Sequence, residues 1–173
     1  MRVVISLIAI ILLLSSCKKD FQECFVPRSV SAKVFFKVLD TLRTADSNGF
    51  ITETIVTRDT ALNRPRLTSL GQDSNITFQG ERGVNSLYLF LNSDTTSIKY
   101  VFRRSEDATI TDTLTIDYDP YTQFISNACG YTFNYKLKAI TSTQLNIKQA
   151  FIENPDVTLS GQVRNIIIYI PKQ

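Results

Sequence analysis

Along most of the chain, apolar side chains recur at every second position. Val30, Ala32, Val34, Phe36 and Val38 alternate with Ser31, Lys33, Phe35 and Lys37. A period of two puts one apolar face on a β-strand. Asp46-Ser47-Asn48-Gly49 separates that run from the β-branched stretch Ile51 to Thr57, and an Asn-Gly turn between two strand patterns predicts a hairpin. Residues 64–69 predict a weaker strand, with Pro65 marking an edge or irregular entry. Residues 76–78 predict a short strand closed by Gly80-Glu81-Arg82-Gly83. The nearly continuous apolar run of residues 84–91 reads as a central strand. Residues 98–103, 110–118, 131–139, 145–151 and 163–170 complete the series. In the fifth of these eight later runs, Ile110, Leu114, Ile116 and Tyr118 share a side that Asp112 interrupts. Residues 119–128 read as a short helix or a long loop, and no stretch beyond the N-terminal residues has the period of a long amphipathic helix. About eight to ten short strands predict an all-β domain: a single antiparallel β-sandwich, immunoglobulin-like or a related Greek-key or barrel-like form.

The first residues follow a different pattern. Met1-Arg2 is a short positive start, and residues 3–14 are apolar except for Ser6. That is about twelve residues, against the roughly twenty a membrane-spanning helix needs, so the stretch predicts the helical core of a signal peptide. Leu14-Ser15-Ser16-Cys17 follows directly and resembles the lipobox of bacterial lipoproteins. The resemblance implies cleavage between Ser16 and Cys17, a diacylglycerol on the Cys17 thiol, and a fatty acyl group such as palmitate on the new amine. Two or three acyl chains hold a protein on a bilayer where one does so marginally. The competing reading is an ordinary secretory signal with an unrelated cysteine. Lys18-Lys19-Asp20 comes next; Lys rather than Asp after the lipidated Cys implies, by the same resemblance, the outer membrane, with the periplasmic face and the cell surface both open. The expected organisation is a signal peptide over 1–16, a lipidated N-terminus and short tether over 17–28, and the β-domain over 29–173.

Composition narrows the chemistry. The chain has 173 residues, 43% hydrophobic and 20% charged, which suits one folded domain rather than a disordered chain. The net charge is +3, but Lys33, Lys37, Lys99, Arg103, Lys136 and Lys138 are dispersed at alternate strand positions. They read as a solvated sheet face, and no nucleic-acid partner is expected. There is no His, which excludes Ser–His–Asp and Cys–His arrangements within this chain and removes the commonest metal ligand. With Cys17 assigned to lipid, Cys24 and Cys129 form an even pair, and in an exported chain they predict one disulfide. Closing a loop of about a hundred residues gives roughly 4–5 kcal/mol in the chain-entropy model and holds the domain near its anchor. Two buried thiols, or a reactive Cys129, are the other readings.

The most distinctive stretch is Asp117-Tyr118-Asp119-Pro120-Tyr121-Thr122-Gln123-Phe124. Asp117 and Asp119 are candidate cation ligands, weighed against a plain Asp-Pro turn at a strand end. Tyr118, Tyr121 and Phe124 are candidate ligand-stacking rings, weighed against buried rings that pin a crossing loop. Glu106 with Asp107, or Asp112 with Asp117, would serve a hydrolase only across a cleft about 5–10 Å wide; solvated charges are the plainer reading. No cofactor is expected. The lipobox, Cys24 shortly after it, and Ser126-Asn127-Ala128-Cys129-Gly130-Tyr131 leading into an aromatic strand make the chain resemble a family of uncharacterised lipoproteins from Bacteroidota-type Gram-negative bacteria. The resemblance implies the compartment, the disulfide and the β-fold, and no activity. The expected function is a non-enzymatic, lipid-anchored envelope module that binds or assists another envelope protein. The alternatives are a glycan- or small-ligand-binding lipoprotein, a carboxylate-dependent hydrolase, and a fimbria-like subunit exchanging residues 163–170.

Overall fold

The structure, a computed structural model, describes residues 30–71, 77–159 and 163–172. The expected signal helix, Cys17 and Cys24 lie outside the described residues. Among the described residues thirteen strands follow in chain order: β1 (Ser31–Ala45), β2 (Ile51–Asp59), β3 (Leu62–Asn63), β4 (Arg66–Leu70), β5 (Thr77–Gln79), β6 (Arg82–Val84), β7 (Ser86–Phe90), β8 (Ser97–Arg103), β9 (Thr111–Ser126), β10 (Gly130–Ser142), β11 (Gln149–Ile152), β12 (Asp156–Val157) and β13 (Ile166–Pro171). The described residues are almost entirely β and contain no helix, and one sheet curls as a half-barrel.

One sheet has the order β12-β10-β9-β8-β4-β5; the other runs β11-β13-β1-β2, with β7 also paired to β1, and β3 pairs β6 separately. The alternating apolar sides of the two large sheets turn toward each other. Ala32, Val34 and Phe36 from β1 pack with Tyr100, Phe102, Leu114 and Ile116 from β8 and β9 in one buried cluster, and the Phe36 and Phe102 rings stack at 5.6 Å. Burying each Val, Leu, Ile or Phe side chain among them contributes about 1.5–3 kcal/mol.

The predicted hairpin forms between β1 and β2. Its turn works as the residue types require: the Asp46 carboxylate accepts the amides of Asn48 and Phe50, both at 2.9 Å, and Gly49 takes φ +80, a conformation that costs glycine little. Three expectations need correction. The sheets are not purely antiparallel, because β13 lies parallel to β1, with Val34 opposite Ile166 and Leu39 opposite Pro171. Residues 84–91 are not a central strand: β7 pairs with β1 alone among the sheet strands, and Tyr88 and Phe90 face outward. The strand buried on both faces is β13, held between β1 and β11, where Ile166, Ile167 and Ile168 are all buried. Residues 119–128 are neither helix nor long loop, because β9 runs on to Ser126, paired with β10. Pro120 is tolerated there for a geometric reason. The Tyr118 amide donates to Thr96 on the β8 side, and the nitrogen of Pro120, two residues on, faces the same edge. β8 pairs with β9 only up to Asp117, so no ladder bond is lost.

Three buried tyrosines tie the link between β7 and β8 to the core. Tyr100 Oη donates to the Phe90 carbonyl, Tyr135 Oη to Leu91 at 2.9 Å, and Tyr118 Oη to Asn92 at 3.0 Å. The Asn92 amide and Thr95 Oγ1 close on the Tyr118 hydroxyl at 3.1 and 2.9 Å. Burial raises Tyr100 and Tyr135 above their ordinary value of 10.0, because an anion there would lose its hydration. Below that value both states of the chain hold neutral tyrosines and the stabilisation is fully present. Above it the unfolded chain ionises first, so stability falls as pH rises. A urea midpoint that drops between about pH 9 and about pH 11, more steeply in the native chain than in Tyr100→Phe, is the expected result; equal slopes would refute it.

Candidate functional site

The sequence-predicted site residues do not converge. Asp112 and Asp117 lie five positions apart on one strand and face opposite sides, Asp112 buried and Asp117 exposed. They cannot flank a cleft. Asp112 instead accepts four hydrogen bonds: from Thr143 Oγ1 at 2.8 Å and from the amides of Leu145, Asn146 and Ile147 at 2.6, 2.6 and 3.0 Å. It is a strut for the connection after β10, where Gln144 has φ 60. Asp117 accepts Ser97 Oγ at 2.6 Å, and Asp119 pairs with Lys138 at 2.6 Å. Both are engaged by protein groups, and no cluster of three metal-ligating side chains occurs among the described residues. Glu106 pairs with Arg64 at 2.5 Å, while Asp107 lines a shallow hollow of about 240 Å³ with Arg104 and Asn146.

The expected ring platform also divides. Tyr118 is buried with its hydroxyl bound, so it offers no exposed face. Tyr121 and Phe124 are exposed, but their odd and even positions put them on opposite faces of β9. What the structure brings together instead is Phe124 and Tyr131. They sit opposite each other in the β9–β10 ladder, with centroids 5.3 Å apart in an edge-on arrangement, 53% and 65% exposed. Phe133 lies two positions along on the same face and is also exposed. This face continues the core side of the ribbon, since Tyr118 and Tyr135 on it are buried farther back. The opposite face is closed at Thr132 and Asn134, both buried. Sequence reasoning missed Tyr131 and Phe133 because their alternation with Thr132 and Asn134 looks like any core-facing strand.

This aromatic ribbon projects. β9 parts from β8 at Asp117 and runs nine residues further to Ser126, about 30 Å at strand rise. Pro120 to Phe133 contains no charged residue, in a chain that is 20% charged. At its tip, Gly130 takes φ 68, the Cys129 amide donates to Ser126 Oγ at 3.1 Å, and Cys129 is disulfide-bonded.

A second ribbon leaves the opposite end. β13 pairs with β1 only to Leu39, so residues 40–45 of β1 run on beyond it and, among the described residues, pair with β2 alone. Ile51 and Ile55 are exposed on one face of this ribbon, Leu42 on the other, and Phe50 at its turn. Unlike the outer part of the first ribbon it carries charge, including the Arg43–Glu53 pair at 2.7 Å. The pairings fix which end is which. Ser31 at the start of β1 is opposite Phe90, beside the link that the Tyr118 and Tyr135 hydroxyls hold. The start of β1 and the aromatic ribbon therefore share one end, and β1 runs away from it toward Ala45.

Residues 65–170 match the model of a family of unknown function, DUF6452. Comparison with curated proteins and with solved structures returns no match.

Proposed function

The chain belongs to that family of unknown function, and from this starting point we propose that it is an exported, lipid-anchored envelope protein whose β-domain is a non-enzymatic docking module. In this reading residues 1–16 are removed, Cys17 carries the lipid, and Cys24 is the partner of Cys129. The anchor sits in the outer membrane, with the domain on either the periplasmic or the outer face. The supports are the Leu14-Ser15-Ser16-Cys17 pattern after a twelve-residue apolar stretch and the bonded state of Cys129. The finer fold assignment belongs here too: two facing sheets around one core fit a relative of the immunoglobulin-like sandwich, with the β1–β13 pair as its parallel exception.

The observation that carries the docking role is the β1–β2 ribbon. Beyond Leu39 neither of its edges pairs with another strand among the described residues, and Ile51 and Ile55 are 67% and 73% exposed on one face. Free strand edges and exposed apolar side chains favour a protein partner that adds a strand or covers the face. A fimbria-like exchange of residues 163–170 is disfavoured, because β13 is an interior strand and its release would open the core.

The test is cross-linking and co-purification of the tagged, lipidated chain from its envelope. One stoichiometric envelope protein is expected with the native chain and is lost with Ile51→Ser/Ile55→Ser, whose exposed positions leave folding unaffected. Recovery undiminished in the double variant refutes the ribbon as the docking surface. Cys17→Ala in the same preparation is expected to abolish lipid labelling and membrane retention; retention without lipid refutes the anchor.

A further inference from the structure

The two ribbons differ in a way that assigns them different surroundings. The projecting β1–β2 ribbon carries Asp40, Arg43, Asp46 and Glu53, whereas fourteen residues of the β9–β10 ribbon, from Pro120 to Phe133, carry no charge. Burying an unpaired charge in lipid is costly, so of the two only the β9–β10 ribbon is suited to a bilayer. Its exposed side chains are of the right kind. Tyr131 joins an apolar ring to a polar hydroxyl, and Phe124 and Phe133 flank it; such rings favour the boundary between headgroups and acyl chains.

The position of the ribbon fits as well. β1 begins at the end from which the aromatic ribbon projects, and Val30 lies thirteen residue steps from Cys17. Fully extended they span at most about 45 Å. A Cys24–Cys129 bond shortens the link to the ribbon's tip: the seven residue steps from Cys17 to Cys24 reach at most about 25 Å. A lipid at Cys17 thus holds the uncharged tip close to the membrane surface and points the β1–β2 ribbon away from it.

We propose that the aromatic end of the β9–β10 ribbon, with Phe124, Tyr131 and Phe133, rests in the interface of the same bilayer that holds the lipid anchor, as a second membrane contact that orients the domain. This rests on the lipid-anchored reading of Cys17. The contact leaves the β1–β2 ribbon facing outward, available to a protein partner, and makes the aromatic end a membrane surface rather than a glycan platform.

The chain has no Trp, so a single introduced indole reports its own surroundings. Lipidated Tyr131→Trp and lipidated Phe50→Trp, both at exposed positions, are reconstituted in phosphatidylethanolamine–phosphatidylglycerol vesicles containing brominated phosphatidylcholine. Equal thermal midpoints with the native chain establish that both are folded. The expected result is that Tyr131→Trp emission shifts to shorter wavelength and is mostly quenched by the brominated lipid, while Phe50→Trp is neither shifted nor quenched. Protein that floats with the vesicles but leaves Tyr131→Trp unquenched overturns the second contact and retains the anchor. A glycan that shifts the unquenched indole would then reassign the rings to ligand binding. Equal quenching at both positions overturns the orientation. Lipidated protein that fails to float overturns the anchored reading, and the contact with it.

Discussion

Asp112→Ala is expected to cost about 3 kcal/mol or more and to leave little folded domain at physiological temperature. The carboxylate is fully buried and accepts three backbone amides and one hydroxyl. Its removal strands those donors, and each unsatisfied buried donor costs about 1–3 kcal/mol. A domain of this kind holds only about 5–15 kcal/mol in total. The amides belong to Leu145, Asn146 and Ile147, and Ile147 is part of the core, so the damage spreads from the connection into the packing between β10 and β11. Asp112→Asn keeps one acceptor but turns an NH₂ group toward donors, and it should recover only part of the loss. The urea midpoint of both variants against the native chain measures the effect. Hydrogen exchange at residues 145–147 places it: protection there should fall first. A loss below about 1 kcal/mol would mean the strut carries little.

Cys129→Ser is expected to cost about 2–5 kcal/mol, because it releases a covalent tie. The bond is present at Cys129, and the chain has two other cysteines, Cys17 and Cys24. If Cys24 is the partner, the closed loop spans about a hundred residues, and the chain-entropy model places the loss near the top of that range. Cys24→Ser should then match Cys129→Ser in its urea midpoint, and the pair should be no worse than either alone, since both remove one bond. Non-reducing peptide mapping should recover residues 24 and 129 in one cross-linked species. Mapping to Cys17 instead would overturn more than a pairing. One sulfur cannot carry both a disulfide and a thioether-linked diacylglycerol, so the lipid anchor would fall with it.

Much of the fold was legible because period-two patterning is local. The β1–β2 hairpin, the strand at residues 98–103 and the core face of β10 follow from side chains that alternate and from turns whose residue types allow few conformations. The candidate site was less legible. Alternation shows that Tyr131, Phe133, Tyr135 and Leu137 share a face, but only the reach of the facing strands decides that Tyr135 and Leu137 are buried and Tyr131 and Phe133 are not. Asp112 looked like an intruder on an apolar side, and its partners lie more than thirty residues away. Pro120 looked like a strand end, yet a strand can carry a proline once its neighbour has stopped.

By itself the sequence determined that this is an all-β chain, which residues of each strand share a face, and where the tight hairpin turns fall. Those properties depend on neighbours a few residues apart. Tertiary structure alone decided that β13 lies parallel to β1, that Asp112 braces a distant connection, and that two ribbons leave opposite ends of the core, one charged to its turn and one with an uncharged outer part. Each of these depends on which strands meet across long stretches of chain and on how far one outruns the other. Burial, and with it the contrast between core and contact surface, is set by that mismatch in length and not by the pattern within a strand.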